Sequence, residues 1–348
     1  KVDDATDLIT VKDYCIAQGI KVVSLSLGWD ALNFHDGIAY ENWFTTAANH
    51  PATAVDQATA ADILWGSAAG NEQYQHTLID WRDDGTPDNW LDWNSSQGNL
   101  NILWYGGSTT IPADTYIDIY LIWNQWPITS QDFDLRLFRN TGSGWTPVAA
   151  SEDTQDGDAT SYPYEEIFYR TTVAAQYAVG VLKIGATASP SFILRYYGVE
   201  PEYFGYGNYS TPAQGSICIP GDTASAFTVG AIDHASYTTG PIEWFSSLGP
   251  NNRAFTGGSA VIKPDICGPD FITTVSYGSE DFGGTSAATP HIAGLAALVK
   301  GAYPDFTQSQ IKQYIETHVY DLGTAGKDNT YGSGVPRLPA PPSVNLAP

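Results

Sequence analysis

Residues 283–294 read Gly-Gly-Thr-Ser-Ala-Ala-Thr-Pro-His-Ile-Ala-Gly, and the apolar run Leu-Ala-Ala-Leu-Val follows at 295–299. Two glycines, then small residues, then Ala, Ile and Leu at helical spacing predict a tight turn that opens a buried helix. Ser286 falls in the first turn, where unpaired N–H groups and the positive end of the helix stabilise negative charge. A nucleophile for acyl transfer needs that environment, because an oxyanion forms next to its Oγ. The alternative is that Ser286 only caps a core helix.

The N-terminal part of the chain predicts a parallel sheet. Amphipathic spacing over 4–18, ended by Gly19, predicts a helix, and a β-rich run over 21–27 predicts a strand. Residues 52–62 and 63–69 repeat the pattern as a second helix and strand. A strand, a crossover helix and a strand indicate a parallel sheet, in which ligands bind at the carboxyl ends of the strands. The segments at those ends are 26–28 and 68–71.

Together these motifs resemble the subtilases, the subtilisin-like serine proteases. The resemblance implies that Ser286 is the nucleophile and that His291 is a structural residue. It also implies that Ser-Leu-Gly at 26–28 pairs with the substrate backbone, and that Ala-Ala-Gly-Asn at 68–71 forms a pocket wall ending in an oxyanion donor. An Asn suits that role because its NH₂ donates without carrying a titratable charge, although a lone Gly-Asn is also typical of a turn. The resulting site residues are Ser286 and Asn71 for catalysis, with Ser26, Leu27, Gly28, Ala68, Ala69 and Gly70 for substrate binding.

The middle of the chain has a different period. From 108 to 200, short strands of alternating apolar and polar residues are separated by Gly, Pro, Ser and Asp turns, which predicts a β-sandwich. This block resembles the jelly-roll module called the bacterial pre-peptidase C-terminal domain. The predicted fold class is therefore α/β, a subtilisin-like parallel sheet with flanking helices interrupted by an inserted all-β, jelly-roll-like sandwich. The predicted domains are 1–107 (first subtilase-like part), 108–200 (sandwich), 201–335 (second part with the nucleophile) and 336–348 (Pro-rich tail or linker).

The chain also departs from the family pattern. A subtilase triad has the order Asp, His, Ser, and the resemblance places the first two before the helix at 4–18. No histidine here lies in a segment resembling the family's histidine motif. We therefore expect a serine endopeptidase whose Asp and His are supplied by an upstream N-terminal segment, with proteins or peptides as substrates. The alternative is a catalytically inactive homologue that acts as a binding or structural module.

Composition narrows the partners. The net charge is −23 with no basic run, which argues against nucleic acid, and no stretch is long and apolar enough for membrane insertion. Low Lys and Arg content, many Tyr and Trp, and no Met suit an extracellular protein. Three cysteines predict mostly buried thiols, with room for one disulfide. The chemistry requires no cofactor. The acidic turns at 83–88 and 153–158 could hold structural Ca²⁺, and the alternative is that both are solvated acidic turns without an ion.

Overall fold

The structure is a computed structural model that describes residues 4–85, 88–93, 98–202 and 214–339. Its helices are α1 (Asp7–Ala17), α2 (Pro51–Ala60), α3 (Thr285–Ala302) and α4 (Gln308–Thr317). Its first eleven strands are β1 (Val22–Leu25), β2 (Leu64–Ala68), β3 (His76–Asp80), β4 (Asn101–Trp104), β5 (Tyr116–Trp123), β6 (Phe133–Asn140), β7 (Trp145–Ser151), β8 (Tyr164–Arg170), β9 (Tyr177–Lys183), β10 (Ser191–Tyr197) and β11 (Glu200–Pro201). The remaining strands are β12 (Phe227–Asp233), β13 (Ile266–Asp270), β14 (Ile272–Thr274), β15 (Gly278–Phe282), β16 (Val319–Tyr320) and β17 (Val335–Pro336).

A parallel sheet in the order β1-β2-β12-β13 forms the centre of the parallel-sheet unit, which is made by the chain before β3 and after β11. Helices α1 and α2 pack on one face around Leu25 and Trp65. Helix α3 packs on the other face, with Ala288 and Ile292 against Phe227 and other core residues of the sheet. The predicted helices and strands of the N-terminal segment and the predicted parallel pairing are thus present, and the fold class is confirmed.

The close approach of α3 to the sheet depends on small residues. A Cβ on Gly268 in β13 would lie 2.6 Å from the carbonyl oxygen of Ala288, so a larger residue there would push the helix away from the sheet. Helix α4 follows α3 in the chain. Its N-cap Thr307 accepts from the Gln310 N–H while the Gln310 side chain accepts from the Thr307 N–H, a complete capping box.

Between β2 and β12 the chain builds two antiparallel sheets, in the orders β3-β10-β5-β8 and β11-β4-β9-β6-β7. Alternate side chains of both sheets meet in one core, including Ile119, Leu121, Trp123, Phe133 and Val179. Strands β3 and β4 precede residue 108 in the chain, yet they pair in these sheets. The predicted boundary at residue 108 therefore falls within the antiparallel part, which by strand pairing runs from β3 to β11.

The second face of the β3-β10-β5-β8 sheet packs on the parallel-sheet unit. Leu78, Ile122 and Ile193 bury Phe34 from the segment after β1. The same face contributes Arg195, which is fully buried and donates from Nη2 to the carbonyl oxygen of Ser216 at 3.0 Å. The sandwich and the parallel sheet are joined by this shared, partly charged interface.

A buried carboxylate ties together the far end of the parallel sheet. Asp265 accepts from Lys263 at 2.8 Å, from Lys312 of α4 at 2.9 Å and from Lys327 at 2.6 Å. It also accepts from the Thr228 N–H of β12 at 2.8 Å. Burial alone would raise the pKa of Asp265, but the three ammonium groups outweigh it and hold that pKa well below its usual range.

The three cysteines are unpaired. Cys15, Cys218 and Cys267 are all buried free thiols. Pro336, placed in the predicted tail, still pairs with Val319, whereas residues 1–3 and 340–348 lie outside the described residues. In the part of the chain that the structure describes, no helix is long and apolar enough to cross a membrane.

Candidate active site

Ser286 lies in the first turn of α3, at the edge of the sheet where β1 and β2 end. The helix begins after Gly284, whose φ of 101° is a left-handed conformation that favours glycine. The Ser286 side chain is partly exposed. Its backbone N–H belongs to the first turn and therefore has no acceptor within the helix, so it is available to a ligand.

Ser26 connects the end of β1 to this turn. The Ser26 Oγ donates to the Ser286 carbonyl oxygen at 2.9 Å, and the Ser286 Oγ lies 3.4 Å from the Ser26 carbonyl oxygen. The next two residues after Ser26, Leu27 and Gly28, are exposed, and the exposed fraction of Leu27 is 46%. The predicted substrate-pairing segment is therefore accessible and begins beside the predicted nucleophile.

Asn71 reaches the same turn from the end of β2. Its Oδ1 accepts from the Thr285 N–H at 2.9 Å and from the Thr285 Oγ at 3.1 Å. These contacts fix the amide so that Nδ2 is left as the donor. That nitrogen faces Gly284, where an added Cβ would lie 3.2 Å from it. Although 214 positions separate Asn71 from Thr285, the fold places the predicted oxyanion donor next to the Ser286 turn.

Thr285 was not among the residues that the sequence singled out. Besides its two contacts with Asn71, its Oγ accepts from the Gly70 N–H at 3.2 Å, and its carbonyl oxygen accepts from the Thr289 Oγ at 2.7 Å. Thr285 therefore holds the end of β2 against the start of α3. Its position directly before Ser286 was the available signal, but its partners depend on the tertiary fold.

The predicted pocket wall is more enclosed than its small residues suggest. Ala68, Ala69 and Gly70 are buried, and the Cys218 N–H donates to the Ala69 carbonyl oxygen at 2.9 Å. A Cβ on Gly70 would overlap the Glu72 carboxylate. The space beside Gly70 is thus already filled by Glu72, which leaves little room there for a large substrate side chain.

Glu72 is held in place by Ser247. The Ser247 Oγ donates to Glu72 Oε2 at 3.0 Å and accepts from the Glu72 N–H at 3.1 Å. Burial, and after it the charge of Asp30, raises the pKa of Glu72 to about 8. At neutral pH most of this carboxyl is therefore protonated, and it offers little fixed negative charge to a basic residue in the pocket.

No histidine completes a triad here. All six histidines lie within the described residues, and none of them hydrogen-bonds to the Ser286 Oγ. His291 Nδ1 contacts the Ala287 carbonyl oxygen at 2.8 Å one turn back along α3, as expected of a structural residue. Burial lowers the pKa of His35 and of His50 to about 4, so both are neutral core side chains.

One acidic cluster could hold a cation. The carboxylates of Asp83, Asp84 and Asp92 offer ligand atoms within 4.8 Å of one another. The predicted turn at 83–88 supplies two of them, whereas Asp92 comes from beyond it. One Asp92 oxygen already accepts from the Asp84 N–H at 2.5 Å, so this carboxylate has a hydrogen-bond partner within the protein. Calcium at this turn stays a prediction.

Comparison with known proteins supports the family suggested by the motifs. Residues 204–334 match the model of the subtilase family. Over 125 residues the chain is 34% identical to Subtilisin Savinase of Lederbergia lenta, covering 35% of this chain and 39% of the relative. Over 107 residues it is 36% identical to Subtilisin-like protease SBT3.7 of Arabidopsis thaliana, covering 28% of this chain and 13% of the relative. The matches thus span less than two fifths of either curated relative.

A solved structure shares the fold over nearly the whole chain. The Clostridium perfringens CspB protease aligns with a TM-score of 0.59 at 16% identity, covering 97% of this chain and 69% of that one. Because the alignment covers nearly all of this chain, the likeness in fold includes the antiparallel sheets as well as the parallel one.

Proposed function

We propose that this chain, whose residues 204–334 match the model of the subtilase family, is the nucleophile-bearing part of a secreted serine endopeptidase that cleaves extended peptide segments. The observation that carries the proposal is the convergence of Ser286, the Asn71 amide and the Ser26 segment on one helix turn. A nucleophile, an oxyanion donor and an open strand edge are three of the parts that peptide-bond hydrolysis needs, and a general base is the fourth.

In the proposed reaction the Ser286 Oγ attacks the scissile carbonyl carbon. The Asn71 Nδ2 and the backbone N–H of Ser286 donate to the oxyanion that forms. The C–N bond then breaks, the amine leaves with the proton taken from Ser286, and water hydrolyses the acyl-enzyme. Residues 26–28 hold the substrate by backbone pairing, which favours broad specificity because it reads little of the side chains.

Among the described residues no histidine hydrogen-bonds to the Ser286 Oγ, so the site lacks a base there. We propose that a complementary N-terminal segment supplies the His and the Asp. Strand β1 supports this, since in the described sheet it pairs only with β2 and keeps one free edge. Tyr14, Ile16 and Ile20 are large apolar side chains exposed on and after the adjacent helix α1, and such a segment would cover them.

A secreted location rests on the composition, with its net charge of −23 and low Lys and Arg content. Detection of the protein in the culture medium, with a cytoplasmic marker retained in the cells, tests it.

The test of activity is hydrolysis of unfolded protein substrates by the full-length protein, with cleavage sites read by mass spectrometry. We expect many cleavage sites in wild type, none with Ser286→Ala, and wild-type activity with Ser143→Ala, a matched change in an exposed turn of the sandwich. The absence of a bonded histidine favours one second candidate, an inactive homologue that binds peptides. A well-folded full-length protein that binds but never cleaves would support that candidate instead.

A further inference from the structure

A cavity of about 390 Å³ lies between the segment after β1 and the outer face of the sandwich. Gly28 and Asp30 line it from the parallel-sheet side, and Trp43 lines it from the following loop. Tyr120, Tyr164, Glu166 and Tyr197 line it from strands β5, β8 and β10. Both structural units therefore build this cavity, and the sandwich supplies a large part of its wall.

The strand pairing explains why these sandwich residues share one face. Tyr120 pairs directly with Glu166 across β5 and β8, and Tyr164 lies two positions before Glu166 on the same strand. Residues two apart on a strand point to the same side of the sheet. The aromatic and acidic side chains thus form one surface turned towards Gly28.

The cavity continues the predicted substrate edge. Ser26 contacts Ser286, and Gly28 lies two positions further along the same segment. Because a strand advances about 3.3 Å per residue, a substrate residue opposite Gly28 lies about 7 Å from the one opposite Ser26. A side chain two to four residues from the scissile bond would reach the cavity.

The lining suits a long cationic side chain. Trp43 and Tyr164 pack with ring centroids 3.9 Å apart, which offers an aromatic wall for an aliphatic stem and a cation. Glu166 and Asp30 provide carboxylates, while none of the described residues that line the cavity is Lys or Arg. The charge of the lining is therefore negative.

The two carboxylates are oriented by tyrosines. The Tyr164 hydroxyl donates to Glu166, and the Tyr197 hydroxyl donates to Asp30. Burial raises the pKa of Tyr164 and of Tyr197, so both hydroxyls stay protonated as donors. The Asp30 side chain is only 9% exposed, and its Oδ1 has no hydrogen bond.

Arg195 lies behind this wall. Its Nε is 3.5 Å from Asp30 Oδ1, and its side chain is fully buried. Arg195 therefore balances the charge of Asp30, whereas no cation pairs with Glu166 in the described contacts around the cavity. Glu166 is exposed, so it is the carboxylate that an incoming cation can reach.

A second cavity, of about 750 Å³, extends the same surface. It shares Trp43, Tyr164 and Glu166 with the first and adds Asp153 and Tyr162. The two cavities thus meet at the Trp43–Tyr164–Glu166 wall and form one groove that leads from Gly28 over the sandwich.

We propose that this groove binds a lysine or arginine side chain of the protein substrate, two to four residues from the scissile bond, through Glu166 and the rings of Trp43 and Tyr164. The proposal rests on the proposed endopeptidase function and adds a substrate class to it. The inserted sandwich then acts in substrate selection, because it supplies Glu166 and Tyr164.

The test compares peptides that carry lysine or norleucine at one position, since the two side chains have similar stems and differ in charge. In the full-length wild-type protein we expect kcat/KM to be about tenfold higher for lysine at one position two to four residues from the cleaved bond. Glu166→Gln should reduce that ratio to about twofold or less. Glu41→Gln removes one exposed carboxylate outside the lining and should leave the ratio unchanged.

Binding of the same peptides to full-length Ser286→Ala, measured by calorimetry, separates this inference from the proposed function. If no peptide is cleaved but the lysine peptide binds tighter and Glu166→Gln removes the difference, the groove is supported and the endopeptidase function fails. Equal binding of lysine and norleucine peptides overturns the groove, whatever the activity. A lysine preference that survives Glu166→Gln overturns it as well.

Discussion

Replacing Asn71 tests whether its amide acts in the transition state. In the structure the amide has two separate tasks, since Oδ1 accepts from Thr285 while Nδ2 is left to donate. Asn71→Ala removes both. Loss of an oxyanion donor costs about 10²–10³ in kcat, or about 2.7–4 kcal/mol. That figure was measured on subtilisin itself, so it is carried over from the family and not calculated from this structure.

The structural cost of the same change is smaller. Two hydrogen bonds from Thr285 lose their acceptor, and each contributes about 0.5–1.5 kcal/mol, with the lower end expected because Asn71 is exposed. Asn71→Asp keeps an oxygen for Thr285 and removes only the donor. We therefore expect Asn71→Asp to be more stable than Asn71→Ala while losing at least as much kcat, because its charge also repels the oxyanion.

The assay is steady-state hydrolysis of one peptide by full-length protein, with stability followed by urea unfolding. Both variants should lower kcat far more than they raise KM, since the interaction exists mainly in the transition state. A change in KM alone, or an Asn71→Asp variant with near-normal kcat, would show that Asn71 is a turn or binding residue and not an oxyanion donor.

Three further predictions concern stability, each measured by urea unfolding. Asp265→Asn should cost about 3–5 kcal/mol, because it leaves the fully buried Lys263 without its counter-charge; a loss under 1 kcal/mol would contradict this. Thr307→Ala should cost about 1 kcal/mol through loss of the α4 cap, and an unchanged midpoint would contradict it. His50 is buried with a pKa lowered to about 4, so the stability it contributes is complete above pH 6.5 and is lost as pH falls through 4. His50→Asn keeps an N-cap acceptor for Ala52 but cannot titrate. When the pH falls from 7 to 4.5, the free energy of unfolding of this variant should therefore decrease by about 2 kcal/mol less than that of wild type; equal decreases would refute this.

The sequence predicted the elements whose pattern is local. Helix α3 and the two helix–strand pairs before residue 70 each follow from apolar spacing and from a nearby Gly. The parallel pairing of β1 with β2 followed from their connection through a helix. These features depend on residues within one or two turns of one another.

The parts that were missed depend on contacts across the chain. Four of the five residues of strand β3 are buried, and its buried and exposed side chains do not alternate. No local pattern therefore assigned β3 to the antiparallel sheets. Glu72 fills the space beside Gly70 and is held there by Ser247, which lies 175 positions further along the chain. From the sequence, Arg195 is typical of an exposed residue on an alternating strand. It is buried only because the sandwich packs on the parallel-sheet unit.

Covalent labelling of the full-length protein with a fluorophosphonate, followed by mass spectrometry of its peptides, tests directly whether Ser286 is the nucleophile. We expect a single adduct on Ser286, formed at neutral pH and absent from Ser286→Ala and from heat-unfolded protein. A protein that cleaves peptides but carries its adduct on another residue, or carries none, would contradict the claim that Ser286 is the nucleophile.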